Sequence, residues 1–96
     1  MLNALQVRVD LGVGAGYVKY RALLPGEQIA SSARLTEDVV VDYDAAGQVL
    51  GIELIALEPH AIESAGAFAS QNGLAFPGST GIVGSSTRTW LIGART

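Results

Sequence analysis

Cysteine is missing from all 96 residues, which removes both a disulfide framework and thiol chemistry. Charge is scarce: only 16% of the residues are Asp, Glu, Lys or Arg, against about 25% in ordinary domains. Histidine occurs once, as His60, so a zinc site would have to draw its other ligands from carboxylates. The N-terminus has no basic region followed by an apolar core, and no apolar run reaches membrane-spanning length. A cytoplasmic protein without a membrane partner is the expectation. Basic residues are few and unevenly placed: residues 1–63 carry a net charge of −5, and residues 64–96 hold only Arg88 and Arg95. An acidic body lacks the electrostatic footprint that nucleic-acid binding requires.

What the chain has in quantity is β-forming apolar sequence, concentrated between Val39 and Leu57 (VVVDYDAAGQVLGIELIAL). Asp44 suits the first position of a type I turn, because its carboxylate can accept the amides that follow. Gly47 can adopt the positive φ that closes a three-residue hairpin loop with a bulge. Asp44 and Gly47 are therefore the structural turn residues. A regular ladder from this turn pairs Tyr43 with Val49, Val41 with Gly51 and Val39 with Glu53. The opposite face then carries Val40, Leu50, Ile52 and Leu54, so both faces of the hairpin are expected to be apolar and covered.

Upstream, Leu5, Val7, Val9 and Leu11 alternate with polar residues, as in a half-buried strand. A glycine-rich turn at residues 12–16 leads to a second strand at Tyr17–Leu23. Leu24-Pro25-Gly26-Glu27 reads as a type II turn, and Gln28–Leu35 as a weaker third strand. Downstream, Pro59 suits a first helical turn and Gly73 a helix end, with Ile62, Ala65 and Phe68 or Ala69 as the apolar stripe. Residues 75–86 are rich in Gly and Ser, and Thr87–Ile92 reads as a last strand with no local partner. The fold class is α+β: mainly an antiparallel β-meander of about five strands, one short helix and a C-terminal strand. The whole is a single domain, with the meander at 1–57, the helix at 58–73 and the loop and last strand at 74–96.

Four patterns invite a chemical reading. Asp42, Asp44, Gly47 and Glu53 imitate the spacing of a calcium-binding EF-hand loop. Ala46 occupies a ligand position, however, and the flanks are strand-like, so Asp42 and Asp44 remain only weak metal candidates. Gly12, Gly14 and Gly16 follow a strand but precede another strand, without the helix N-terminus that would hold a pyrophosphate. His60 beside Pro59 reads as a solvent-side residue of the helix, and no nucleophile motif accompanies it. Asp42 and Glu53 fall on opposite faces in the regular register, which separates them as an acid–base pair. No catalytic residue and no cofactor is expected.

Asp38-Val39-Val40-Val41-Asp42-Tyr43-Asp44, then Gly47, then Val49-Leu50-Gly51-Ile52-Glu53-Leu54 resembles the segment that marks domain of unknown function 2283, a family of short bacterial proteins. Gly16-Tyr17-Val18-Lys19-Tyr20 is similar to the strand before it. The resemblance spans about residues 5–57 and implies no catalytic residues; it implies partners in small gene pairs, some similar to toxin–antitoxin systems. The combined expectation is a non-catalytic, self-associating protein-binding module: a homodimer, with an unidentified, antitoxin-like protein partnership. Trp90, Leu91 and Ile92 are its candidate interface. The alternative is a small-ligand or weak metal-ion binding module.

Overall fold

Asp44 builds the central hairpin. Its Oδ1 accepts the amides of Ala46 (2.9 Å) and Gln48 (2.8 Å). Its backbone carbonyl accepts Gly47 N–H at 3.0 Å, and its amide donates to Gln48 O at 2.9 Å. Gly47 sits at φ +80°, the conformation that the loop requires and that glycine adopts without a Cβ penalty.

The computed structural model describes residues 2–77 and the backbone of residues 87–90. Its strands are β1 (Gln6–Asp10), β2 (Ala15–Lys19), β3 (Ser31–Thr36), β4 (Val39–Tyr43), β5 (Val49–Leu54) and β6 (Thr87–Trp90), with one helix, α1 (Pro59–Gln71), between β5 and β6. The sheet order is β3-β4-β5-β2-β1-β6, and every pairing is antiparallel. The α+β class and the short helix are as expected. Two connections depart from strict neighbour order: β5 leads through α1 to β6 beside β1, and β2 lies beside β5, so residues 20–30 carry the chain across to the far edge, where β3 begins. Gly26 at φ +80° and the Glu27 N–H bond to Leu24 O (2.9 Å) make the expected turn within that crossing.

The register corrects the regular ladder. Tyr43 does pair with Val49, but the pairing then shifts, and Asp42 faces Gly51, Val41 faces Ile52 and Val39 faces Leu54. Leu50 is the extra residue, a β-bulge one step from the turn. Because strand side chains alternate with period two, a one-residue shift exchanges faces. Val39, Val41, Ile52 and Leu54 therefore share one face, each no more than 1% exposed. The expectation that both faces are apolar is overturned: the other face carries Val40, Asp42, Gly51 and Glu53.

Helix α1 covers the apolar face. Ala61, Ala65 and Ala69 recur every four residues, and all three are buried, with Ile62 and Phe68 packed beside them. Small side chains let the helix sit close to β4 and β5. Pro59 begins it, since the missing N–H belongs to the turn where helical partners are lacking. At the other end Gly73, at φ +69°, closes a Schellman motif: Leu74 N–H donates to Ala69 O (2.8 Å) and Gly73 N–H to Ser70 O (3.3 Å). Buried Leu74 then bridges in parallel to Leu2, and the Tyr20 hydroxyl donates to Ala75 O at 2.7 Å.

Gly47→Val is expected to lower stability by at least about 1 kcal/mol, because a β-branched residue resists positive φ. The urea midpoint should fall, with an unchanged m-value.

Candidate functional site

The face of the sheet opposite α1 is built from the alternate residues of each strand. Across β3, β4, β5, β2 and β1 the register aligns Arg34, Val40, Glu53, Tyr17 and Arg8; beside that row run Ser32, Asp42, Gly51, Lys19 and Gln6. Acids and bases are interspersed, and Arg8, Arg34 and Glu53 are exposed. Such a face is built to meet water, as is usual for the free side of an antiparallel sheet.

Tyr17 organises its centre. The ring lies across Gly51, where a Cβ would collide with the phenol, so the glycine makes room for the aromatic. The Tyr17 hydroxyl donates to Asp42 Oδ2 (3.0 Å), and Ser32 Oγ donates to Asp42 Oδ1 (2.6 Å). Burial first, then the bond to the neighbouring Asp42 carboxylate, pushes the Tyr17 phenol well above its ordinary pKa. Asp42 is only 6% exposed, yet among the described residues its carboxylate has hydroxyl donors and no cation in a salt bridge. This cluster joins β2, β4 and β3 across the sheet.

Arg21 makes the second fastening. Its Nη1 and Nη2 donate to the two carboxylate oxygens of Glu27 (2.8 and 2.6 Å), and Nη2 also reaches Asp44 Oδ2 (3.0 Å). Glu27 Oε1 further accepts Leu24 N–H at 2.9 Å. The guanidinium, with that amide, holds the Glu27 carboxyl down at about 2. Asp44 is also held below the ordinary carboxylate range, first by Gln48 N–H and then by Arg21. The fork ties the crossing segment to the hairpin turn. Behind it opens a cleft of about 530 Å³ between Leu2, Tyr20, Arg21, Tyr43, Val49 and Leu74.

These contacts define what the sequence candidates do. Asp42 points into the Tyr17–Ser32 cluster, whereas Asp44 holds its own turn and Arg21, so the two carboxylates serve different partners. Asp42 and Glu53 share the open face, correcting their expected separation; the bulge at Leu50 is the cause. The amides of the glycine turn are already engaged: Asp10 Oδ1 accepts Gly12 N–H (2.9 Å) and Val13 N–H (3.3 Å). His60 is exposed on the first turn of α1, as expected. Trp90 stands opposite Val7 in the β1–β6 ladder, its side chain undescribed, and Leu91 and Ile92 lie outside the described residues. Arg21, Tyr17 and Ser32 escaped sequence reasoning. Gly51, a glycine inside a strong strand, was the one signal of a close approach.

A family model described as a protein of unknown function (DUF2283) matches residues 18–57, in agreement with the resemblance of the hairpin segment. The match runs from β2 through β5 and takes in Arg21, Asp42, Asp44 and the bulged hairpin. No curated protein and no solved structure matches the chain.

Gly51→Ala is expected to cost about 1–3 kcal/mol, as overpacking does. In a Tyr17→Ala background the same change should cost much less, and a double-mutant cycle in urea would measure that coupling. Additive effects would remove the ring-over-glycine contact from the account.

The depressed carboxyl of Glu27 has a pH signature. A group whose pKa is lower in the folded state contributes its full stability above its ordinary value near 4.5 and loses it as pH falls towards 2. The melting temperature should therefore drop between about pH 5 and pH 2, and Arg21→Gln should flatten that drop while lowering stability at neutral pH.

Proposed function

We propose that the chain is a non-catalytic, self-associating protein-binding module that works through the β3 edge of its sheet. The observation that carries this reading is the exposure of β3: every residue from Ser31 to Leu35 is exposed. Neither proline nor lysine guards the strand, and among the described residues no element covers it. Leu23, Leu24 and Ile29 in the crossing segment, and Leu35 within β3, are also exposed, so apolar surface gathers towards this side of the molecule. An unpaired strand edge flanked by apolar side chains is suited to main-chain recognition of another strand. Among the described residues no nucleophile, base and acid cluster beside it, and Tyr17, Ser32 and Asp42 on the open face are engaged with one another across strands.

A homodimer is the simplest assembly of this kind, and a second protein, of the antitoxin-partner type suggested by the family resemblance, would use the same chemistry. Thr87–Trp90 extends the opposite edge of the sheet through β1. The cleft behind Arg21 supports a second reading, a small-ligand module. Its lining sets Tyr20, Tyr43, Leu2, Val49 and Leu74 against the polar side chains of Arg21, Gln48 and Asn72, a mixed site that could fix a ligand's orientation.

Light scattering of the full chain across the micromolar range is expected to give a mass rising from one copy to two. A mass that stays at one copy at high micromolar concentration would defeat self-association. A compound-library melting shift abolished by Val49→Trp would instead promote the cleft.

A further inference from the structure

The ladder geometry specifies how a second copy would fit. Ile55 N–H donates to Asp38 O (2.8 Å), which makes Val40–Glu53 and Asp42–Gly51 the hydrogen-bonded pairs between β4 and β5, since such pairs recur at every second position. Val41 and Tyr43 consequently direct their amides to β3, where they face Ala33 and Ser31. Ser32 and Arg34 are left with N–H and C=O pointing away from the sheet. The shift between Arg34 and Thr36 ends the regular edge just beyond them.

We propose that the partner of this edge is a second copy of the chain, laid antiparallel on β3 with a two-fold axis through Ala33. The proposal rests on the protein-binding reading above and adds the occupant and its register. An axis perpendicular to the sheet makes the two β3 strands antiparallel, which matches the strand pairings within the sheet. Three registers pair the outward groups. An axis at Arg34 sets two guanidinium groups against each other, and an axis at Ser32 joins only one outward pair. An axis at Ala33 places each Ser32 opposite Arg34 of the other copy, so all the outward amides and carbonyls of both residues are paired.

Charge selects the same register. Ser32 Oγ already donates to Asp42 Oδ1, and Asp42 has no cation of its own among the described residues. The incoming Arg34 arrives on the same open face as that Ser32, so its guanidinium donors meet a hydroxyl backed by a buried carboxylate. Among the described residues Arg34 makes one bond, from Nη1 to Glu37 O, which leaves its other donors for the copy. Each subunit thus supplies the cation that the other lacks, twice over by symmetry.

The test is sedimentation velocity on the full chain and on charge variants of exposed positions. Ala33→Lys sets two ammonium groups together at the axis and is expected to weaken the dimer about tenfold or more. Ala33→Glu alone should do the same, while an equimolar mixture of the two should recover dimer. Arg34→Ala, which removes only a local bond in the monomer, should also weaken association. Far-UV circular dichroism establishes that each variant is folded. A wild-type dimer that Ala33→Lys leaves intact, or a mixture that associates no better than its components, overturns the β3 interface but leaves self-association standing. A monomeric wild type overturns both.

Discussion

Leu50 is one residue more than the β4–β5 ladder can pair, and the layers of the molecule depend on where that residue is accommodated. The turn before it leaves little choice. Asp44 engages the amides of Ala46 and Gln48, and Gly47 closes the loop at positive φ, so Tyr43 and Val49 are held opposite one another. The surplus is absorbed immediately below, and the shifted register brings Val39, Val41, Ile52 and Leu54 onto a common face. Full burial of side chains of this size is worth about 1.5–3 kcal/mol each, so placing all four under α1 outweighs the local cost of one disturbed ladder rung.

The same shift supplies the other face with Asp42, Gly51 and Glu53. A buried carboxylate needs partners, and it finds them in two hydroxyl groups from neighbouring strands, Tyr17 of β2 and Ser32 of β3. Gly51 is the condition for the first of these, because the Tyr17 ring crosses the space a side chain would fill. The core on one side and the polar cluster on the other are two consequences of a single register.

The Arg21 fork performs a related task for the chain path. After β2 the backbone must travel from beside β5 to the outer edge of the sheet, and residues 20–30 make that journey with few buried apolar anchors. Glu27 and Asp44 both bind the guanidinium, one from the crossing segment and one from the hairpin turn. Where β3 begins is thereby coupled to the turn. The exposed edge it forms, with Ser32 and Arg34 facing outward, is the feature on which the protein-binding reading rests.

Local chemistry was legible in the residues alone. Asp44 and Gly47 identified the hairpin, Pro25 and Gly26 the turn in the crossing, and Pro59 with Gly73 the ends of the helix, because each of these conformations is decided within four or five neighbouring residues. The alternation of Val7 and Val9 likewise marked a strand with one buried side. The face exchange at Leu50 was not legible, since the turn fixes only Tyr43 opposite Val49, and whether a bulge follows it is decided by which side chains the helix can cover. Nor was the β2–β5 pairing, the Tyr17–Asp42–Ser32 cluster or the Arg21 fork, whose members lie up to 25 residues apart. Those contacts form only when strands distant in the chain are brought side by side, and that arrangement is selected by the burial of the whole core.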